Sequence, residues 1–142
     1  MTSINQAQDE IIDEFSLFDE WSEKYEYLID LGKKLPSLAA EHKIEANVIK
    51  GCQSVVWLHA EFREGRVYFA GDSEAIIVKG LIALLIRVLS GRFPEVIVNA
   101  ELYFIDRIGM SQHLAQTRSN GLYAMLKQMK FYAMAFGAKQ SS

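Results

Sequence analysis

Residues 55–71 read VVWLHAEFREGRVYFAG. The run from Val55 to Phe62 is rich in β-branched and aromatic side chains, the composition of a half-buried strand. A second such run, RVYFAG, begins at Arg66, and Glu64-Gly65 lies between the two. The stretch predicts an antiparallel hairpin closed by a short glycine-containing loop. Strand character is expected to begin upstream near Ala46, where NVI leads through KGC into the hairpin. Cys52, the only cysteine of the chain, is thereby expected in a turn or bulge between strands, with Gly51 allowing a sharp bend.

Outward from the hairpin the pattern is helical. Upstream, Trp21, Tyr25, Leu28, Ile29 and Gly32 share one helix face, and Pro36 closes that helix because proline disfavours helical geometry in the residue before it. Downstream, Asp72 is placed as the N-cap of an apolar helix starting near Ser73. That helix is apolar around most of its circumference and should be central. Gly80 within it costs about 1 kcal/mol against alanine, which close backbone packing would offset. Short helices are expected near Pro94 and over Tyr103–Ile108. Leu122, Met125, Leu126, Met129, Tyr132, Ala133 and Phe136 fall on one face of a last helix, read as core filling, with Gly137 as its cap. The expectation is an α+β fold, a small, largely antiparallel sheet flanked by N-terminal and C-terminal helices. It is read as one domain over 1–142, with frayed tails at about 1–8 and 138–142.

Composition narrows the function classes. The 142 residues are half hydrophobic with two prolines, as in a globular chain rather than a disordered one. Net charge is −3 and the fifteen basic residues are scattered, which argues against nucleic-acid binding. One cysteine permits no internal disulfide, no Cys-x-x-Cys pair and no cysteine-rich zinc site. A reducing cytoplasm is the expected compartment. The N-terminal MTSINQAQDEIIDEF lacks a basic region followed by an apolar one, so no signal peptide is expected. The apolar stretch Ala75–Leu89 is shorter than the ~20 residues of a spanning helix and contains Lys79 and Arg87, so no membrane span is expected. No heptad seam or obvious apolar patch demands a dimer.

Cys52 carries the sharpest chemical question. A free cysteine is most often a small packed hydrophobe. This one, however, follows Lys50-Gly51 and precedes polar Gln53 and Ser54, where a loop can present sulfur and Lys50 can favour thiolate. Both readings stand on context alone. Asp72 is explained by capping, with orientation of a cationic or imidazole group as a second role. His113 lacks an i+4 ligand partner for a helical metal site, and His42 and His59 have less to recommend them. Arg118, at the expected start of the last helix, is either a solvated surface group or a stabiliser of a sulfur anion. A sulfur carrier needs one nucleophilic thiol. A cysteine hydrolase would need Cys52, His113 and Asp72 with an oxyanion hole. A cluster scaffold needs several thiolates, and an interaction module needs none of these.

The run GCQSVVW resembles the signature of the SufE family of sulfur acceptors. GDSEAIIVKGLIALL resembles that family's second block, QHL with RSNGL its third, and WSEKYEYLIDLGKKLP its first helices. The resemblance runs over roughly Phe15 to Met129 with the blocks in order, and it implies a SufE/IscU-like fold. It further implies that Cys52 accepts the outer sulfur of a persulfide held by a pyridoxal-phosphate cysteine desulfurase resembling SufS or CsdA. The acceptor stimulates that enzyme and passes sulfur to an iron–sulfur scaffold complex resembling SufB. On this reading the chain is a carrier rather than a stand-alone enzyme. It has no bound cofactor beyond a transient Cys52 persulfide, since the pyridoxal phosphate belongs to the partner. Gly51, Gln53, Asp72, His113 and Arg118 become candidates for the thiol environment or the docking rim, and a homodimer is permitted. Val55, Ser111 and Thr117 depart from common family residues, which touches partner specificity. Gln53-Ser54 after the cysteine resembles the SufE branch more than the CsdE branch.

Overall fold

The computed structural model describes residues 3–50, 54–109 and 121–141. Two helices come first, α1 (Ile4–Phe15) and α2 (Trp21–Lys33), followed by 3-10 turns at Ala40–His42 and Glu45–Asn47. The hairpin is β1 (Val56–Arg63) and β2 (Arg66–Ser73). After it come α3 (Ile76–Leu89), α4 (Pro94–Val98), α5 (Phe104–Arg107) and α6 (Leu122–Ser141). The sheet is a two-stranded antiparallel ribbon with helices before and after it, an α+β fold. Its register runs from Val56 opposite Ser73 to Arg63 opposite Arg66. Glu64 (φ 51°) and Gly65 (φ 80°) are both left-handed, as a two-residue turn matched to strand twist requires.

Strand structure starts later than the sequence suggests. Asn47 N–H donates to Ile44 C=O (3.0 Å) and its side-chain amide to His42 C=O (2.8 Å), curling residues 45–47 into a turn. Val48 keeps only a single bridge to Trp57.

α3 is the hub. Val78, Leu81, Ile82, Leu84, Leu85, Val88 and Leu89 are all buried, so the apolar stretch is the central core helix its composition suggests. Among the described residues no helix is long and apolar enough to cross a membrane. α2 crosses α3 where Gly32 meets Gly80. A Cβ on Gly80 would lie 2.7 Å from Leu28 Cγ and closer still to Leu28 C=O, and one on Gly32 would lie 2.7 Å from Gly80 N. This is the close approach expected to offset a helical glycine. The hairpin contributes Val56, Leu58, Val67 and Phe69 to the same core, and α6 contributes Leu122, Met125, Met129 and Ala133.

Among the described residues, helix reaches into both of the segments at the two ends. Ser3 and Gln6 form a reciprocal capping box that starts α1 at Ile4, and Ile4, Ala7, Gln8 and Ile11 are buried. The Gln8 amide donates to Glu101 C=O (3.1 Å) and its carbonyl accepts from Phe104 N–H (3.1 Å), tying the first helix to α5. At the other end, α6 runs past Gly137 to Ser141. Gly137 is therefore not a cap. It lies inside the helix, where a Cβ would stand 3.3 Å from Pro94 Cβ of α4. On the far side of the core, Arg87 of α3 donates to Glu14 of α1 (2.9 Å), and Glu14 also accepts from Tyr27 of α2.

Candidate functional site

Of the residues singled out by sequence, Gly51, Cys52, Gln53, His113 and Arg118 lie outside the described residues, and so do Ser111 and Thr117. Asp72 lies within them. The structure describes the frame on which the cysteine-bearing segment is mounted. Ile49 N–H donates to Val56 C=O (2.9 Å), so the six residues 50–55 connect two hydrogen-bonded neighbours. Ile49 and Val56 are both buried, which roots that connection in the core. On the downstream side, Ser73 Oγ donates to Val55 C=O (2.7 Å) and accepts from Ala75 N–H (3.2 Å). One hydroxyl thus fastens the exit of the segment to the first turn of α3.

Asp72 does not cap α3. The N-cap position is Ala75, without a side-chain cap, while Asp72 belongs to β2 opposite Trp57. Its buried carboxylate accepts from its neighbour Ser73 N–H (2.8 Å) and from Leu38 N–H (3.3 Å). Lys43 Nζ (3.3 Å) and Lys79 Nζ (3.5 Å) flank it. Burial pushes the acid upward, but the Ser73 and Leu38 amides, then Lys43 and Lys79, outweigh it and hold the carboxyl below its ordinary value. Lys43 also sits over the Trp57 ring, 5.3 Å from its centroid. Asp72 therefore clamps the 38–43 connector, the end of the hairpin and α3 together. At 4% exposure its side chain is enclosed by these partners. The cationic groups beside it are these two lysines.

Sequence reasoning missed Lys43, Lys79 and Ser73. Lys79 drew notice only as a charge within an apolar run. Its spacing from Asp72 and its place on α3 were the available signal. The imidazoles of His42 and His59 stack, with centroids 3.8 Å apart and planes 18° from parallel. Among the described residues no group of three or more His, Cys, Asp or Glu side chains is placed to hold a metal ion.

Three exposed apolar side chains belong to the segments that lead into and out of this end of the hairpin. Ile44 follows Lys43, Val55 is held by Ser73, and Ile76 opens α3; all three are exposed, Ile76 at 58%. A groove of 710 Å3 adjoins it, lined by Glu45–Lys50 on one wall and by α6 residues including Lys127, Gln128 and Phe131 on the other. Lys50, the residue before Gly51, is one of its lining residues.

Comparison with known proteins places this frame in a family. The model of the SufE Fe-S metabolism associated domain matches residues 9–133. An uncharacterized SufE-like protein of Synechocystis sp. is 40% identical over 131 residues, covering 92% of this chain and 82% of its own. An uncharacterized SufE-like protein of Rhizobium meliloti is 38% identical over 135 residues, covering 92% and 94%. A third, of Rhizobium etli, is 39% identical over 127 residues, covering 86% of each chain. The solution structure of a hypothetical protein from Thermus thermophilus superposes with a TM-score of 0.73 over 91% of this chain and 94% of that one. At 21% identity it speaks for the fold alone. The family match over most of the chain, with relatives near 40% identity across nearly its whole length, shows that the chain belongs to the SufE family.

Proposed function

We propose that this chain is a sulfur carrier whose acceptor is Cys52. Family membership supports a SufE-like role in sulfur transfer at the coarse level. The observation that carries the finer reading is that the chain has one thiol, set in GCQSVVW within the matched region. The Cys52 thiolate attacks the outer sulfur of a desulfurase cysteine persulfide. A new S–S bond forms to Cys52, the donor's S–S bond breaks, and the desulfurase cysteine leaves as thiolate. The terminal sulfur is now carried on Cys52 as a persulfide. Sulfane sulfur moves between two thiolates, so no outside oxidant or reductant is needed. Clearing the desulfurase in this way frees it for another turnover, which is the stimulation expected of such a partner. A second exchange passes the sulfur to an iron–sulfur assembly scaffold. The attacking thiol works best with a pKa near ambient pH, because nucleophilicity falls as pKa falls. Arg118 and His113 are the proposed groups that tune it, with Gly51 and Gln53 shaping its surroundings.

The frame supports this reading. A transfer thiol must reach into a partner yet return to a defined place, and residues 50–55 are held at both ends by the Ile49–Val56 and Ser73–Val55 bonds. The exposed Ile44, Val55 and Ile76 supply an apolar collar for a desulfurase resembling SufS or CsdA. The reading places the chain in the cytoplasm, where thiols stay reduced.

The test incubates the chain with a cysteine desulfurase of the same cell, free cysteine and pyridoxal phosphate without reductant. Intact-mass spectrometry then looks for the mass of one added sulfur atom. The expected result is that gain on the wild type and none on Cys52→Ser. No gain from any desulfurase tried, or an equal gain on Cys52→Ser, overturns the proposal.

A further inference from the structure

β1 has a second edge, and its backbone is not fully paired there. Ile49 N–H donates to Val56 C=O (2.9 Å), so Val56 points away from β2. The alternation of an antiparallel ladder then turns the N–H and C=O of Leu58, Ala60 and Phe62 the same way. The β2 side agrees, since Val67, opposite Phe62, gives its own N–H to Arg92 C=O. Among the described residues nothing pairs with the outward groups of Leu58, Ala60 or Phe62. Leu58 is only 3% exposed, so bulk water hardly reaches them there. A buried backbone pair without a partner is rare, because neither protein nor solvent offsets its desolvation. The chain that would fill this edge is curled beside it. The Val48–Trp57 bridge and the Ile49–Val56 bond set an antiparallel register. Continued upstream, that register places Asn47 opposite Leu58, Ala46 opposite His59 and Glu45 opposite Ala60. Residues 45–47 bend away instead, on Asn47 N–H to Ile44 C=O (3.0 Å), Val48 N–H to Glu45 C=O (3.1 Å) and the Asn47 amide to His42 C=O (2.8 Å). None of the three is buried, and Glu45 holds Lys50 at 2.9 Å.

We infer that residues 44–47 form a strap with two seats: the curl, and an added strand along β1 in which Asn47 pairs with Leu58 and Glu45 with Ala60. The strand seat uses the unpaired groups of Leu58 and Ala60 in two reciprocal pairs of bonds. It also undoes the ion pair beside the cysteine-bearing segment. Side chains alternate along a strand, so positions 45 and 50 fall on opposite faces and Glu45 parts from Lys50. Cross-strand neighbours share a face, so Glu45 turns with Ala60 and Phe62 toward α6, where Phe62 stacks on Phe136 with centroids 5.2 Å apart. Lys127 of α6 lines the same groove as Glu45, forms no ion pair with a described residue, and is the cation on that side. Lys50, two residues before Cys52, is released from its carboxylate and free to favour thiolate over thiol. That last consequence rests on the function proposed for Cys52; the strap itself does not.

NMR on the full chain tests the strap. The strand seat brings the Hα atoms of residues 46 and 59 together, as the close non-hydrogen-bonded pair of the ladder, while the curl leaves them unpaired. Relaxation dispersion over residues 44–50 of the wild type is expected to show exchange with a minor state. Ala46→Val puts a β-branched side chain at an exposed position and should raise that state up to about fivefold, making the 46–59 contact visible. Glu45→Pro suits the curl, which does not use that N–H and already holds Ile44 extended (φ −118°, ψ 160°). Added to Ala46→Val, it should remove the contact, because the strand seat needs the N–H. Circular-dichroism melts confirm that the variants are folded. No exchange in the wild type and no contact in Ala46→Val overturns the strap, as does a contact that survives Glu45→Pro. Alkylation of Cys52 by iodoacetamide across pH then reads the consequence. Ala46→Val should move the reactive thiol to lower pH, and Lys50→Gln should abolish that difference. A strap that moves while the thiol profile stays fixed overturns the role of Lys50. Sulfur uptake on Cys52, read by mass, stands or falls separately.

Discussion

Lys43 Nζ lies 3.3 Å from Asp72 Oδ2 and 5.3 Å from the centre of the Trp57 ring, so one lysine joins the 38–43 connector to both strands of the hairpin. Asp72 itself is held below its ordinary pKa by the amides and lysines that outweigh its burial. An acid depressed on folding contributes stability that is fully present above its unfolded value, about 3.9, and is lost as pH falls through the folded one. Asp72→Asn should therefore cost about 2–4 kcal/mol near neutral pH, since it leaves Lys43 and Lys79 without their anion. The difference from wild type should shrink as pH drops below about 4. Urea melts from pH 7 to pH 3 check this; a gap that stays constant would remove the carboxylate charge from the account.

At the α2–α3 crossing, helix propensity and packing make opposite demands. Alanine at position 80 gains about 1 kcal/mol of helix propensity. It also drives a methyl group into Leu28, whose Cγ would stand 2.7 Å away. Backbone cannot yield as a flexible side-chain tip can, and overpacking of this kind costs about 1–3 kcal/mol or more. Gly80→Ala is expected to destabilise on balance, with a lower urea midpoint. A neutral or stabilised variant would show that the two helices separate freely.

These cases mark what was legible in the sequence. The hairpin was, because alternation, β-branched content and a Glu-Gly turn are local signals that agree. α3 and the Gly32–Gly80 approach were legible for a similar reason: an apolar helix tolerates a glycine only against close packing. Asp72 was misread because GDSEA imitates a capping sequence, while Leu38 and Lys43, which engage the carboxylate, lie more than 25 residues away. The first turns of α1 were read as frayed because Gln8 finds its partners at Glu101 and Phe104, far along the chain. On α6, helical periodicity found the buried face correctly. It could not say that Phe131 and Met134, similar in composition to the core residues, stand on the other side. The proposal for Cys52 rests on its sequence context and motif, and the Ser73 and Ile49 bonds that frame its segment depend on pairing no local pattern records.

Tyr27 offers a spectroscopic check on the α1–α2–α3 staple. Burial first, then the hydrogen bond to Glu14 and that residue's charge, push its phenol up to about 12. A tyrosine raised on folding contributes stability that is present below its unfolded value, about 10, and is lost as pH climbs toward the folded one. Tyr103 is also raised, chiefly by its hydrogen bond to Asp9, so absorbance titration at the phenolate band should show a late component of which Tyr27→Phe removes one tyrosine's share. Glu14→Gln should bring that titration to lower pH. If Tyr27→Phe leaves the amplitude of the late component unchanged, Tyr27 is not among the shifted phenols.

Ser73 separates the frame from the chemistry. Its hydroxyl is the described link between Val55, at the exit of the cysteine-bearing segment, and Ala75 at the head of α3. Ser73→Ala removes two neutral hydrogen bonds, one to the Val55 carbonyl and one from the Ala75 amide, both on residues that water can reach, so the stability cost should be about 1–2 kcal/mol. Transfer between two thiols depends far more steeply on placement, and a misplaced reacting atom can cost tenfold or more in rate. On the proposed function, single-turnover sulfur uptake followed by intact mass should slow by roughly tenfold in Ser73→Ala while the melting midpoint falls by only a few degrees and the protein stays folded at the assay temperature. Ser73→Thr, which keeps the hydroxyl, should recover most of the rate. Equal uptake by wild type and Ser73→Ala would mean that the segment carrying Cys52 finds its reactive geometry on the partner, without the Ser73 fastening.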